Sequence, residues 1–255
     1  MKRLLLLTLG LTLFSACQSE TTPKVTTQNI TIDKTQLLQI NNKNITFPND
    51  SSQLLFVTTP DWNTKEGTLQ RYERIEKSED WKKVGEPISI ILGRNGLAWG
   101  LGLHTTPKNA KHIKREGDGR SPAGLFYLGH GFGYHDFNIE FPYKVYKQTD
   151  HCVDDSNSKW YNKIIDSTKV AKDYKSFEHM RLKNNLYKYG ITVNHNPNQV
   201  KNGGSCIFMH IRSGNGKGTA GCTAMTEDKI KEILKWLKEE KKPLLLQLPK
   251  GEVGN

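Results

Sequence analysis

From Ser51 onward the chain alternates short apolar runs with clusters of Gly, Pro, Asn and Asp. Leu54-Leu55-Phe56-Val57 reads as a buried strand, and Thr68 to Ile75 alternates well enough for a second. Trp81 to Leu92 holds Val84 and then Ile88-Ser89-Ile90-Ile91-Leu92, a third strand, closed by the turn Gly93-Arg94-Asn95-Gly96. The loop Gly117-Asp118-Gly119-Arg120-Ser121-Pro122 leads into the extended Leu125-Phe126-Tyr127-Leu128. Strand pattern returns at Ile191-Thr192-Val193, at Ser205 to Ile211 and at Leu244 to Leu248. One helix is predicted near the end. Thr226 can cap it, Glu227-Asp228 suit the positive end of its dipole, and Ile230, Ile233, Leu234 and Leu237 fall on one face. Lys238, Lys241 and Lys242 sit near its C-terminus and Pro243 stops it. Many strands and one clear helix predict a mainly β domain with peripheral helices. Residues 129–190 have no clean period; within them Glu178-His179-Met180-Arg181 can line a groove or simply pack.

The first residues differ in kind. Met1-Lys2-Arg3 is basic, Leu4 to Phe14 is almost wholly apolar, and the small Ser15-Ala16 stand directly before Cys17. Residues 1–16 read as an export signal. The small residues before Cys17 resemble a bacterial lipoprotein signal, in which Cys17 is lipidated and becomes the new N-terminus, although Phe14 stands where Leu is usual. An ordinary cleaved signal is the other reading. Residues 17–50, rich in Thr, Asn, Gln and Lys, read as the lipidated N-terminus and a flexible tether, with the folded domain over 51–250. Such a tether would reach roughly 30 Å. Gln18 rather than Asp after Cys17 favours the outer membrane, so the expected location is exported, lipid-anchored and periplasmic.

Composition narrows the class. The 255 residues are 35% hydrophobic and 25% charged, which excludes collagen-like, coiled-coil and disulfide-knot chains. The formal charge of +11 falls to +9 once Lys2 and Arg3 leave with the signal. That balance suits an anionic partner or surface; a nucleic-acid partner is not expected.

Chemistry concentrates in one region. Ser205-Cys206-Ile207-Phe208-Met209-His210 is strand-like, a Gly-rich loop follows, and Cys222 comes directly after Gly221. The loop can double back and bring the His210 imidazole to the Cys222 thiol. A free thiol with a pKa of about 8.5 is little ionised at neutral pH; a neighbouring imidazole can take its proton and hold the thiolate as an ion pair. Gly221 leaves room for a substrate backbone, and the Gly221 and Cys222 amides could stabilise an oxyanion. The alternative is a packed core pair with no chemistry. Ser213 to Thr219 looks like a phosphate loop but lacks its Gly and Ser/Thr positions. The eight His and four Cys form no H-E-x-x-H or C-x-x-C, so neither a metal nor a cofactor is expected.

These residues carry a resemblance. Cys206-Ile207-Phe208-Met209-His210 with Thr219-Ala220-Gly221-Cys222-Thr223-Ala224-Met225 resembles the active-site signature of the L,D-transpeptidase (YkuD-type) domain, and Gly117 to Phe126 resembles the family's upstream loop. The resemblance implies a β-rich sandwich or barrel domain acting on peptidoglycan stem peptides. It implies Cys222 as nucleophile and His210 as general base and later acid, with the second ring nitrogen donating to a backbone carbonyl, for which Ile211 is the candidate. A tetrapeptide stem would acylate the Cys and an amine would resolve the thioester. Many members carry Ser-His-Gly-Cys and an Arg two places after the Cys; here Thr219-Ala220 precede Gly221 and Ala224 holds the Arg position. Arg120 and Arg212 are candidates to bind the substrate carboxylate instead.

With Cys17 lipidated and Cys222 reduced, Cys152 and Cys206 are the pairing left for a disulfide; two buried free thiols are the alternative. Two further function classes stay open, an L,D-carboxypeptidase using water as acceptor and a non-catalytic, lipid-anchored wall-binding module. A papain-like protease would need the opposite order of Cys and His. Oligomeric state is not legible.

Overall fold

The computed structural model describes residues 38, 40, 42–74, 80–214 and 216–254. The export signal, Cys17 and residues 18–37 of the tether lie outside the described residues. The elements run β1 (Gln53–Thr59), β2 (Glu66–Glu73), β3 (Lys82–Ile91), β4 (Leu97–Trp99), β5 (Ser121–Gly133), β6 (Tyr143–Val145), β7 (Asp150–Val153), β8 (Ile164–Asp166), β9 (Phe177–His179), β10 (Tyr189–Val193), β11 (Phe208–Ile211), β12 (Thr223–Met225), α1 (Glu227–Trp236) and β13 (Leu244–Pro249). Ten strands form one sheet in the order β10-β11-β12-β3-β2-β1-β13-β5-β4, with β6 beside β5. The long β5 also pairs with β10, so the sheet closes on itself into a barrel-like form. The fold is mainly β, as the apolar pattern predicts.

β1 and β13 lie parallel at its centre, Leu54 opposite Leu244 and Phe56 opposite Leu246. Leu54, Leu55, Val57, Leu244, Leu245, Leu246 and Leu248 are all fully buried. Continuous apolar runs of this kind are what a strand covered on both faces needs. Helix α1 lies against β10 and β11 and buries Ile230, Ile233 and Leu234. It ends at Trp236, short of the Pro243 stop. The buried Gln53 side chain accounts for this: Nε2 donates to Trp236 O at 2.7 Å, and Oε1 accepts from Lys238 N–H at 2.9 Å. It satisfies the helix end and draws the chain out of α-geometry. Thr226 occupies the N-cap position without a side-chain cap bond.

The domain begins earlier than residue 51. Leu38 N–H donates to Trp81 O at 2.9 Å, Asn42 Nδ2 to Glu252 O at 2.6 Å, and the Phe47 ring lies 5.2 Å from that of Trp81. Leu38, Ile40, Ile45 and Phe47 pack on the main core. These few apolar side chains are enough to dock the last part of the segment read as tether.

Residues 129–190 contain a second, three-stranded sheet in the order β8-β7-β9. Its small core is Val153, Ile165 and Tyr174, with Trp160, Val170 and Phe177 packed against it.

Candidate active site

β11 and β12 run parallel with Met209 opposite Thr223, His210 opposite Ala224 and Ile211 opposite Met225. Cys222, one residue ahead of β12, therefore falls level with Phe208. Paired positions share a sheet face and alternate residues share it along a strand. Phe208, His210, Cys222 and Ala224 thus lie on one face, while Met209, Ile211 and Met225 enter the main core beneath. Two residues along and one strand across is about 8 Å between the His210 and Cys222 Cα atoms. On the other flank β10 places Gly190 opposite His210. A Cβ at Gly190 would lie 2.3 Å from the Phe132 ring, so glycine is what lets that ring close over the strand. Beside it the Tyr187 ring stands 5.1 Å from the imidazole and 5.6 Å from Phe208.

The His210 tautomer follows from its partner. Nδ1 lies 2.8 Å from Ile211 O. A carbonyl only accepts, so Nδ1 carries the proton and Nε2 of the neutral ring is left with its lone pair. Burial pulls the imidazole pKa down to about 4, against which the Ile211 hydrogen bond acts weakly. The buried Cys222 thiol donates to Cys206 O at 3.7 Å, and its Sγ accepts from Phe208 N–H at 3.3 Å. Burial pushes its pKa well above the usual thiol range; the Glu178 charge adds to this, while the Phe208 N–H, Lys114 and Tyr187 oppose it. The resting pair is therefore neutral thiol and neutral imidazole. Burial penalises both charged forms, so it works against the ready ion pair expected from the sequence.

The loop before Cys222 is fastened by hydroxyls. Cys222 O accepts from Thr219 Oγ1 at 2.7 Å and from Ser121 Oγ at 3.0 Å. Gly221 N–H donates to Thr219 Oγ1 at 3.1 Å, so in this conformation it is not the free oxyanion donor that the sequence suggested. A Cβ at Gly221 would meet Arg120 O at 3.1 Å and Ile207 Cδ1 at 3.3 Å, so a side chain there would have to push both neighbours back. Of the two candidate arginines, Arg120 donates to Trp62 O, Leu97 O and Asn63 Oδ1, each at 2.9 Å. Its guanidinium ties its own loop to the Trp62-Asn63 turn and to the start of β4 rather than presenting a free cation. Arg212 is exposed just past β11, its backbone N–H bonded to Met225 O at 2.7 Å.

The three-stranded sheet meets the thiol's side of the main sheet. Cys152 of β7 forms a disulfide with Cys206, with Cα atoms 5.9 Å apart. Cys206 stands outside the strand with φ +53°, a left-handed conformation costing about 1–2 kcal/mol. Asn162 holds it: Oδ1 accepts Cys206 N–H at 3.0 Å, while Nδ2 donates to His195 O at 2.8 Å and Asn196 O at 2.9 Å. Glu178 lies opposite Cys152 in the β7–β9 ladder and accepts from Tyr187 Oη at 2.6 Å. Burial pushes its carboxyl up to about 7, and the acidic Asp154 and Glu116 add to this. Beside Phe208 and the disulfide, Lys144, Tyr146 and Thr192 help to line a cavity of about 290 Å³. Tyr187 was not legible as a site residue, and although Thr219 lies in the recognised signature and Ser121 in the upstream loop, the fastening role of their hydroxyls was not. Among the described residues no group of three His, Cys, Asp or Glu is arranged to hold a metal.

A neutral imidazole with one free lone pair, on the same face as a reduced thiol, suits nucleophilic acyl chemistry. Comparison with curated proteins and with solved structures returned no match. The family model for the L,D-transpeptidase catalytic domain, YkuD, matches residues 61–245. That span holds β11, β12, His210, Cys222 and the covering sheet, and the chain belongs to the YkuD family of L,D-transpeptidase catalytic domains.

Proposed function

We propose that the protein is a peptidoglycan L,D-transpeptidase that transfers an acyl group from a tetrapeptide stem, through a Cys222 thioester, to an amine. The observation that carries this reading is the tautomer of His210: with Nδ1 bonded to Ile211 O, the ring presents Nε2 as base on the face that holds the free Cys222. Because both groups rest neutral, the proton moves as Sγ attacks the carbonyl at the L-centre of the third stem residue. His210 then gives that proton to the departing D-Ala amine, and the acyl group stays on sulfur. An acceptor amine attacks the thioester, His210 takes a proton from it and returns it to the leaving sulfur. Gly221 contributes by its lack of a side chain. Arg212 is the exposed cation available for the substrate carboxylate. Incubation with a tetrapeptide-stem fragment should add the tripeptide acyl mass to the Cys222 peptide, with loss of D-Ala; an unmodified Cys222 across neutral pH would refute the reading.

We further propose that the chain is exported and anchored through lipidated Cys17, holding the domain beside the wall on the periplasmic face. The basic start, apolar run and small residues before Cys17 support this. Mass analysis of the mature N-terminus from the membrane fraction tests it: a diacylglyceryl-modified Cys17 is expected, and an unmodified terminus rejects it.

A further inference from the structure

Aminolysis of a thioester at neutral pH removes two protons from one nitrogen. A primary amine arrives as an ammonium ion, which has no lone pair, with a pKa of about 10. It must lose one proton before attack and a second as the amide forms. His210, neutral again once D-Ala has left, accounts for only the second.

Glu178 is a group placed for the first. It comes from β9 of the covering sheet, its charge bears on the Cys222 thiol, and Tyr187 Oη, whose ring stands 5.1 Å from the His210 imidazole and 5.6 Å from Phe208, donates to it at 2.6 Å. The charged groups acting on Glu178 are Asp154 and Glu116, both acidic. Among the described residues no Lys or Arg forms an ion pair with it. A carboxylate in that setting lacks a cation, and an incoming ammonium supplies one. Its pKa of about 7 lets it exchange a proton near neutrality.

We propose that Glu178, held by Tyr187 beside the Cys222 thiol, receives the ammonium group of the acyl acceptor and takes its first proton, favouring a charged primary amine over water. This rests on the acyl-transfer reading above. The step balances: ammonium and carboxylate become free amine and carboxylic acid. The amine attacks the thioester carbonyl, and its next proton passes through His210 to the leaving sulfur. The Glu178 proton then goes to solvent.

The test reads the ratio of amide to acid product from pre-formed acyl-enzyme, a ratio independent of how fast Cys222 is acylated. Two acceptors are compared at neutral pH: a stem fragment with a free side-chain amine, and hydroxylamine, which is already uncharged. Glu178→Gln should lower the ratio about 100-fold with the stem amine and leave it unchanged with hydroxylamine. Glu178→Asp, which keeps the charge, should retain part of the preference and guards against a folding defect in the Gln variant. An unchanged ratio, an equal loss with both acceptors, or an equal loss in Asp and Gln overturns the proposal. A wild-type protein that forms no Cys222 adduct overturns the acyl-transfer reading itself, and this inference falls with it.

Discussion

β11 and β12 sit inside the ten-stranded sheet and send Met209, Ile211 and Met225 into the main core, whereas the equally short β7, β8 and β9 form a separate three-stranded sheet over a core of only three buried residues. The first region places His210 and Cys222 by strand register, which many backbone hydrogen bonds enforce together. The second has a small core of its own and is tied to the rest by one disulfide and by side-chain hydrogen bonds of Asn162, Tyr161 and Glu178. The contrast separates two tasks. The proposed nucleophile and base stand on or beside strands that share the main core. The covering sheet supplies Glu178 and the tie to Cys206 from a part joined by side chains rather than by a strand ladder, so damage there should alter selectivity and stability before it alters thiol chemistry.

The largest effects should come from the floor. Cys222→Ala should abolish the stem adduct and lower turnover by about 10³-fold or more, with little change in melting, as read by mass spectrometry and thermal unfolding. His210→Gln should cost about 10²–10⁴-fold in turnover, measured as the rate of D-Ala release; a loss under tenfold would mean that another group serves as base. The cover should answer differently. Replacing Cys152 and Cys206 together by Ser removes a link across 54 residues, with an expected loss of about 4 kcal/mol in denaturant titration. If that variant keeps full stability, the view of a cover joined by side chains is wrong. Arg120→Ala should lower stability by about 1–2 kcal/mol through its three lost hydrogen bonds, while Arg212→Ala should instead raise KM for the stem peptide.

Burial also predicts a pH dependence with two signs. His210 and His195, drawn by burial to about 4 and about 3, are neutral in the fold and titrate near 6.5 when unfolded. Their contribution is full above 6.5 and is lost as the pH falls toward 4. Glu178, raised to about 7 from 4.5, contributes below 4.5 and loses that contribution as the pH rises through 7. Glu178→Gln should therefore have a higher urea midpoint than the parent on the alkaline side of neutrality, and the two should converge in acid.

The sequence was readable where the pattern was long or the contact local. β1, β3, β13 and α1 carry apolar runs or periods over many residues, and the His210–loop–Cys222 spacing is compact in the chain. The covering sheet was opaque because three residues cannot display a period, and its partners are set by tertiary contacts such as Asn162 with Cys206. Glu178 was noticed but left open: its meaning depends on Tyr187 and Cys222, which reach it only through folding. The end of α1 was missed for the same reason, since Gln53 acts from 183 residues away. The depth of burial around His210 and Cys222, which disfavours their charged forms, is not written in their spacing either.

The carbonyl that accepts the resting thiol belongs to Cys206, whose own sulfur is spent on Cys152. Preparative chemistry inherits a conflict from this. A reductant added to protect the reactive sulfur from air also attacks the bridge that fixes its acceptor, so handling without thiols and under inert gas is the treatment that spares both.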